Sequence, residues 1–377
     1  VNVPAHVDLA VVGAGPAGRA LAHRAVAAGL AVAVIDPAPD TPWRATYGMF
    51  VDDLPGWITR DALTRPSSGV VVYTPDRRVV GRPYVTLRTD ILQRSLTLDG
   101  AAVIVDRASR LTATGVDTES GTRVSARCVV DARGGRGADP GAARQTASGV
   151  FLTASTDRRD VGDETVLMDW RHASADSPSF SYRVPTPHGY LVEETCLAGR
   201  PPIDVDELGR RTGARLPSGV STGRLDHEFV DFPLDSAPRP WSRGTRAALA
   251  FGAAGGLMHP ATGYSVAPSL AAVDTVVAAV VAGRDPRRAL WPCRARWVHR
   301  LRSAGLEVLL ALDGPSITAF FDAFFRLPGD DQRAFLSERG NLAGVVRTMV
   351  RLYATVPGEL RSVMRRRTIA SLVHRAP

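Results

Sequence analysis

Apolar positions along this chain switch between strand-like runs and helical spacing, and the switches mark out its elements. Val7–Val12 is a short apolar run of strand length. Residues 19–28 follow with an alanine-rich helical pattern that breaks at Gly29, and residues 30–35 form a second strand run that ends in Asp36. Beyond them, 69–73 reads as a strand with its turn at Asp76-Arg77, and 89–98 as a helix. Short strands are expected at 102–108, 110–116 and 123–126 around a hairpin at Glu119-Ser120-Gly121. An apolar strand from Cys128 ends in Asp131-Ala132-Arg133-Gly134. The texture then changes. Strand patterns dominate 140–240, at 146–152, 165–168, 180–185, 189–194 and 228–233, with one helix at 205–215. A strand at 246–251 and an apolar helix at 265–281 resume the first pattern, and residues from 285 onward are mostly helical, with helices at 294–312 and 317–325.

Strand, glycine turn, helix, strand and acid in that order predict a dinucleotide-binding α/β unit. Gly13 permits the tight turn, Gly15 lets backbone approach a pyrophosphate, and Gly18 lets the helix lie against the strand. The helix N-terminus offers unpaired N–H groups to phosphates, and Asp36 can accept ribose hydroxyls. The strand end at Asp131 and Gly134 matches flavoproteins in which such a strand closes over the cofactor, its small residues permitting the approach. A second glycine turn carries Gly255, Gly256, His259 and Gly263 between a strand and a helix, and so predicts another anion or cofactor contact. His259 has no second close ligand to suggest a metal, and none is expected. Arg88, at the start of the 89–98 helix, either reaches cofactor phosphate or ribose or is an ordinary surface arginine. The aromatic segment 43–57 (Trp43, Tyr47, Phe50, Trp57) lies where such folds carry cofactor and substrate contacts, although core packing explains it equally well.

The chain has 377 residues and is 45% hydrophobic, enough for two domains or one large α/β unit with an insertion. The division expected is 1–42, 84–139 and 244–284 for the dinucleotide-binding domain, 43–83 and 140–243 for an inserted sheet-rich substrate domain, and 285–377 for a helical region. The net charge is +8 and every basic side chain apart from histidine is arginine. That balance suits an anionic cofactor, a nucleic acid or an anionic membrane. No zinc-finger spacing or RNA-recognition motif is present, so nucleic acid ranks last. Cys128, Cys196 and Cys293 are far apart and form neither a disulfide framework nor a CxxC site, which fits a reduced, cytoplasmic setting. No leader pattern opens the sequence, and the longest apolar helix, 270–282, is too short to span a bilayer and contains Asp274. Residues 341–377 hold seven arginines and one glutamate interleaved with Leu352, Val356, Leu360, Val363, Met364 and Ile369. This fits a helix lying on an anionic membrane, or a plain exposed basic face.

With these motifs in place the chain resembles the flavin-dependent lycopene cyclases of plant and bacterial type. The matching pieces run in order over most of its length. Residues 8–36 resemble the family's opening fold. Thr46-Tyr47-Gly48-Met49-Phe50-Val51-Asp52-Asp53 resembles its "NYGVWVDE" segment, and Asp131–Gly134 its "DARG" strand end. Met168-Asp169-Trp170-Arg171 resembles the start of "MDWRD", and Leu191-Val192-Glu193-Glu194-Thr195 resembles "FLEET", the most distinctive signature. Residues 255–264 resemble "AGMVHPSTGY", and Phe320-Phe321-Asp322-Ala323-Phe324-Phe325 resembles "RFFDAFF". His172 departs from the second acid of "MDWRD", and Leu191-Val192 from the usual Phe-Leu.

The resemblance implies a Rossmann-like FAD-binding domain on the aromatic-hydroxylase and geranylgeranyl-reductase plan. It also implies reduced FAD in a non-redox role, NADPH or another reductant as electron donor, and an apolar polyene substrate that must leave a bilayer or a carrier, so that peripheral contact with an anionic membrane is expected. Cyclising an acyclic terpene end is an isomerisation that starts when a strong acid protonates an alkene. Burial and a neighbouring carboxylate raise a carboxyl pKa, which suits Glu193 as proton donor. Glu193 and Glu194 are strand neighbours and should point to opposite faces, so either is a candidate from the residues alone; the family points to Glu193. Asp169 is a candidate either to orient a partner or to help remove the ring proton. Tyr47, Trp170 and Tyr182 are candidates to face the cation. Three other readings stay open: a cyclase of a shorter prenyl chain or prenylated product, an FAD monooxygenase, and a non-catalytic flavoprotein.

Overall fold

In this computed structural model the structure describes residues 6–135, 141–153, 164–218, 220, 222–235, 239–242 and 247–374. The opening unit is β1 (Val7–Val12), α1 (Pro16–Ala27) and β2 (Val32–Ile35). Next come β3 (Gly48–Phe50), β4 (Val70–Tyr73), β5 (Arg77–Val80), β6 (Tyr84–Thr86) and α2 (Thr89–Ser95). Then β7 (Ala102–Ile104), β8 (Ala108–Leu111), β9 (Gly115–Thr118) and β10 (Arg123–Asp131) lead to β11 (Arg144–Leu152), β12 (Val166–Asp169), β13 (Phe180–Thr186) and β14 (Gly189–Gly199). The central part closes with α3 (Val205–Gly213), β15 (Asp226–Pro233), β16 (Leu249–Ala250) and α4 (Val266–Val281). Six further helices finish the chain: α5 (Pro286–Leu290), α6 (Cys293–Leu309), α7 (Gly314–Phe325), α8 (Gly329–Leu336), α9 (Leu342–Thr355) and α10 (Gly358–His374).

Strands β7, β2, β1, β10 and β16 lie side by side and parallel. The β1 side chains are almost wholly buried, because helices cover a parallel sheet. α1 and α4 pack on each other through Leu21, Ala25, Leu270, Val273 and Val277 in one core cluster. Where short separate strands were expected between 102 and 131, the chain makes a meander. β10 is one continuous strand whose first residues pair antiparallel with β9 and whose last pair parallel with β1. The predicted hairpin at 119–121 is the β9–β10 turn. The 89–98 helix ends at Ser95, and the strand expected at 246–251 is reduced to Leu249–Ala250 among the described residues; Arg246 lies outside them.

The second sheet runs β15-β11-β14-β13-β12-β4-β5. β4 joins it by parallel pairing with β12, so the segment after β3 contributes to the same sheet as residues 144–233. One face lies under a large core that includes Phe180, Leu191 and Leu197 with the α7 phenylalanines; the other is covered by α3. The predicted stretch 317–325 belongs to α7, and 294–312 overlaps α6, which ends at Leu309.

Candidate active site

Period-2 alternation along β14 decides the geometry. Leu191, Glu193, Thr195 and Leu197 face a cavity of about 610 Å³, while Val192, Glu194 and Cys196 face the other way. Phe180 and Tyr182 of β13, Glu228, Val230 and Phe232 of β15, and Tyr84, Gly263 and Tyr264 complete its wall. A second cavity of about 310 Å³ is lined by Gly13, Gly15, Asp36, Arg107, Arg133 and Gly134. The two share Tyr47, Ala253, Ser265 and Val266, so they form one continuous groove from the Rossmann turn to Glu193.

Glu193 is 7% exposed. Burial, and then the negative charge of Glu228, push its carboxyl up to about 8, against the opposing hydrogen bond that Thr195 Oγ1 donates to Oε1 at 2.7 Å. Glu193 is therefore a neutral acid at physiological pH. The Tyr84 hydroxyl lies 3.1 Å from that of Tyr182 and 3.0 Å from that of Tyr264. Burial pushes all three phenols well above their ordinary values, so they stay neutral. The wall around the acid is thus largely aromatic, and among the described residues the one cation lining the cavity is Arg144, which stands at the far end of β11 and is paired with Asp231 at 2.6 Å.

Glu194 corrects one expectation. It sits on the opposite face, accepts from Ser179 Oγ at 2.7 Å and pairs with Arg215 at 3.1 Å, so it has no route to the cavity. Asp169 is also outside the cavity wall. Arg171 and Arg183 hold it at 2.6 and 3.0 Å. Burial pushes its carboxyl up, but those two guanidiniums outweigh the effect and keep it below its usual value. Trp170 is 1% exposed, meets the tilted ring of Phe180 (centroids 4.8 Å) and stacks on Phe321 (5.2 Å), so it is core and not cavity surface. Tyr47 and Tyr182 do line the cavity.

On the nucleotide side the residues fit a dinucleotide. Gly13 has φ +103°, and a Cβ at Gly18 would lie 2.0 Å from the Gly13 carbonyl oxygen, so helix and strand close up only with glycine here. Asp36 takes the Ala14 and Ala38 N–H groups at 2.8 and 2.7 Å while lining the groove. Asp131 acts at one remove. Its carboxylate grips Arg133 through two contacts of 2.7 Å, and Arg133 lines the groove. Arg88 is exposed at the start of α2 and lines neither cavity. Gly255 packs on the Ala250 backbone and Gly256 on Pro240 and Trp291; both shape the turn from behind. His259 turns away from the groove. Its Nε2 lies 3.0 Å from the Phe335 carbonyl, and burial, with Arg302, holds it well below its ordinary pKa. Among the described residues no group of three His, Cys, Asp or Glu could hold a metal ion.

A profile described as lycopene cyclase protein matches residues 8–362. The chain belongs to the lycopene cyclase family. A Deinococcus radiodurans relative, named an uncharacterized carotenoid cyclase, is 33% identical over 97% of this chain and 95% of its own length. The lycopene beta cyclase of Arabidopsis thaliana is 30% identical over 88% of this chain and 75% of its own. In fold, this cyclase is similar to a geranylgeranyl bacteriochlorophyll reductase-like protein from Thermoplasma acidophilum (TM-score 0.67, 14% identity, 95% of this chain and 99% of that one). It is also similar to a flavoprotein/dehydrogenase from Cytophaga hutchinsonii (TM-score 0.60, 12% identity, 97% and 99%).

Several cavity residues of this family member escape a linear reading. Glu228 sits at a buried position of β15 between exposed neighbours, a placement that only the folded structure shows. Tyr84 carries no motif, and Tyr264 closes the second glycine turn without standing out from it. Arg107 and Arg133 join the groove because β7 and β10 both end there.

Proposed function

We propose that the chain is a lycopene β-cyclase, converting acyclic ψ-ends to β-ionone rings by acid-initiated, non-redox cyclisation. The observation that carries this reading is a buried Glu193, its carboxyl pushed up to about 8, in an aromatic cavity continuous with a dinucleotide groove. Relatives named lycopene β-cyclases support the substrate. Thr195 donates to Oε1, which leaves Oε2 to hold the acidic proton and give it to the terminal alkene. After transfer, the same Thr195 hydroxyl stabilises the carboxylate. The internal alkene then closes the ring, and a ring proton leaves. Tyr84, Tyr182, Tyr264, Phe180 and Phe232 exclude water and offer π-faces to the cation, about 1–2 kcal/mol each where desolvated.

FAD suits the groove. Gly13, Gly15, Asp36, Arg107, Arg133 and Gly134 would hold its dinucleotide part, with Tyr47, Ala253, Ser265 and Val266 at the junction. Bound there and reduced by NADPH or another donor, FAD would supply negative charge that favours a developing cation.

Delivery of a polyene calls for a membrane contact, and the tail supports one. Val346, Val350 and Tyr353 are exposed at helical spacing on α9. On α10, Ile369 and Val373, 56% and 66% exposed, share a shallow groove with Arg365 and Arg366. Exposed apolar groups beside arginines suit an anionic bilayer surface. Among the described residues no helix is long and apolar enough to cross a membrane.

The test is an anaerobic assay of the FAD-loaded protein with lycopene in liposomes and a reductant. A product of unchanged mass and shifted absorption is expected, with turnover about 10²–10⁴-fold lower in Glu193→Gln and FAD content retained. Oxygen-dependent gain of one oxygen atom would instead establish a monooxygenase.

A further inference from the structure

Cyclisation needs a base as well as an acid, and the site as first read lacks one. Asp169 is locked to Arg171 and Arg183 outside the cavity wall. Of the carboxylates that line the cavity among the described residues, Asp231 pairs with Arg144 and Glu193 is the acid. Glu228 remains.

Its placement follows from strand register. Gly149 of β11 stands opposite Glu193 on β14 and opposite Glu228 on β15, and Glu193 stands opposite Tyr182 on β13. Glu228, Gly149, Glu193 and Tyr182 therefore form one row across four strands, and residues opposite one another share a face. Two strand steps separate the Cα atoms of the two glutamates by about 10 Å. Between them is bare backbone. A Cβ at Gly149 would lie 2.8 Å from Leu191 Cδ1 and 3.0 Å from Glu193 Cβ. The glycine thus lets the Leu191 and Glu193 side chains lean over the β11 backbone, with no side chain of β11 standing between two carboxyl groups that line the same cavity.

The two oxygens of Glu228 differ. Oε1 accepts the Thr46 backbone N–H at 2.6 Å, which fixes the side chain. Oε2 is buried and, among the described residues, has no hydrogen-bond partner. An unmatched buried carboxylate oxygen is costly, and its persistence calls for a reason.

We propose that Glu228 is the base that takes the ring proton, forming with Glu193 an acid–base pair across Gly149. The proposal rests on the cyclase reading above. The Glu193 Oε2–H bond breaks as a C–H bond forms at the terminal alkene. The internal alkene's π pair becomes the new ring C–C bond. Glu228 Oε2 then takes the proton from the ring carbon beside the cation, and that C–H pair becomes the ring double bond. The substrate's formula is unchanged. One proton has passed from Glu193 to Glu228, and it returns through solvent when the product leaves.

The test compares FAD-loaded wild type, Glu228→Gln and Glu228→Asp with lycopene in liposomes, reading rate, ring type and pH profile. Glu228→Gln should cut the rate about 10²-fold or more and move its residual product from β-rings to rings with the double bond elsewhere, because proton loss is no longer directed. Glu228→Asp should recover β-rings in part. The groups facing Glu193 are Glu228 on β15, Tyr182 on β13, Tyr84 on β6, Tyr264 before α4, Tyr47, and Thr195 on its own strand. Removing the Glu228 charge should therefore also move the alkaline limb to lower pH. If Glu228→Gln makes only β-rings at an unmoved limb, whatever its rate, the base assignment is overturned while the cyclase reading stands. If Glu228→Gln does not retain FAD, the Asp variant decides alone: only β-rings at the wild-type rate would overturn the assignment. Wild type that makes no cyclised product at all would overturn the cyclase reading itself.

Discussion

Glu193 and Glu194 are covalent neighbours with opposite fates. One is neutral in a cavity; the other is held by Arg215 and Ser179 on the far side of the sheet. Only protonated Glu193 can donate, so activity should be level at neutral pH and fall as pH rises through about 8. The sign for stability runs the same way. Between the ordinary 4.5 and the folded value of about 8, the unfolded chain loses this proton and the folded chain keeps it. Folding stability from this group is therefore lost as pH rises across that window. Glu193→Gln should abolish this dependence, and the melting temperature of the variant should gain on wild type from pH 4.5 upward. A flat difference between the two melting curves would remove the case for a neutral buried acid. The paired glutamates were legible in the sequence, and alternation gave their opposite faces; which face holds the cavity was not, since that depends on what packs against each side.

At the scale of elements, β14 is a strand buried on both sides, with α3 clamping the rear. Thr212 accepts the Glu194 N–H and donates to the Ser148 carbonyl, while Arg215 and Arg211 reach Glu194 and Ser179 from the end of the helix. Removing one partner of a buried ion pair leaves an uncompensated charge. Arg215→Met should cost about 3 kcal/mol, read as a lower unfolding midpoint, with turnover per folded molecule kept. A large loss of turnover at full stability would instead tie Glu194 to the chemistry. The strand at 189–194 was legible from its apolar run. Its extension to Gly199 was not, because Thr195–Ala198 gain their places from pairing with β11 and β13. Trp170 shows the same limit: a large aromatic in a motif reads as cavity wall until stacking on Phe321 places it in the core.

The whole molecule brings two sheets together so that their loops meet at Tyr47 and α4, and the active groove runs along that seam. If the tail rests on a bilayer, binding should depend on both its parts. Val350→Asp with Ile369→Asp should lower co-sedimentation with anionic liposomes several-fold while FAD content stays constant, and neutral liposomes should bind less than anionic ones. Binding unaffected by either change would leave the arginines as an ordinary solvated face. Arg347 and Arg351 already show that charge counting is not enough, since both are spent on Asp331.

By itself the sequence determined the Rossmann opening, with Gly13, Gly18 and Asp36 in their places, and the strand that carries Glu193. These depend on contacts within about thirty residues, where periodicity and turn chemistry are sufficient. Only the tertiary structure decided that Tyr84, Glu193, Tyr264 and Glu228 share a cavity, that His259, Trp170 and Asp169 do not line it, and that Arg133 and not Asp131 lines the groove. The physical reason is register: strands distant in sequence pair through a common backbone ladder, and a shift of one residue would turn every side chain to the other face.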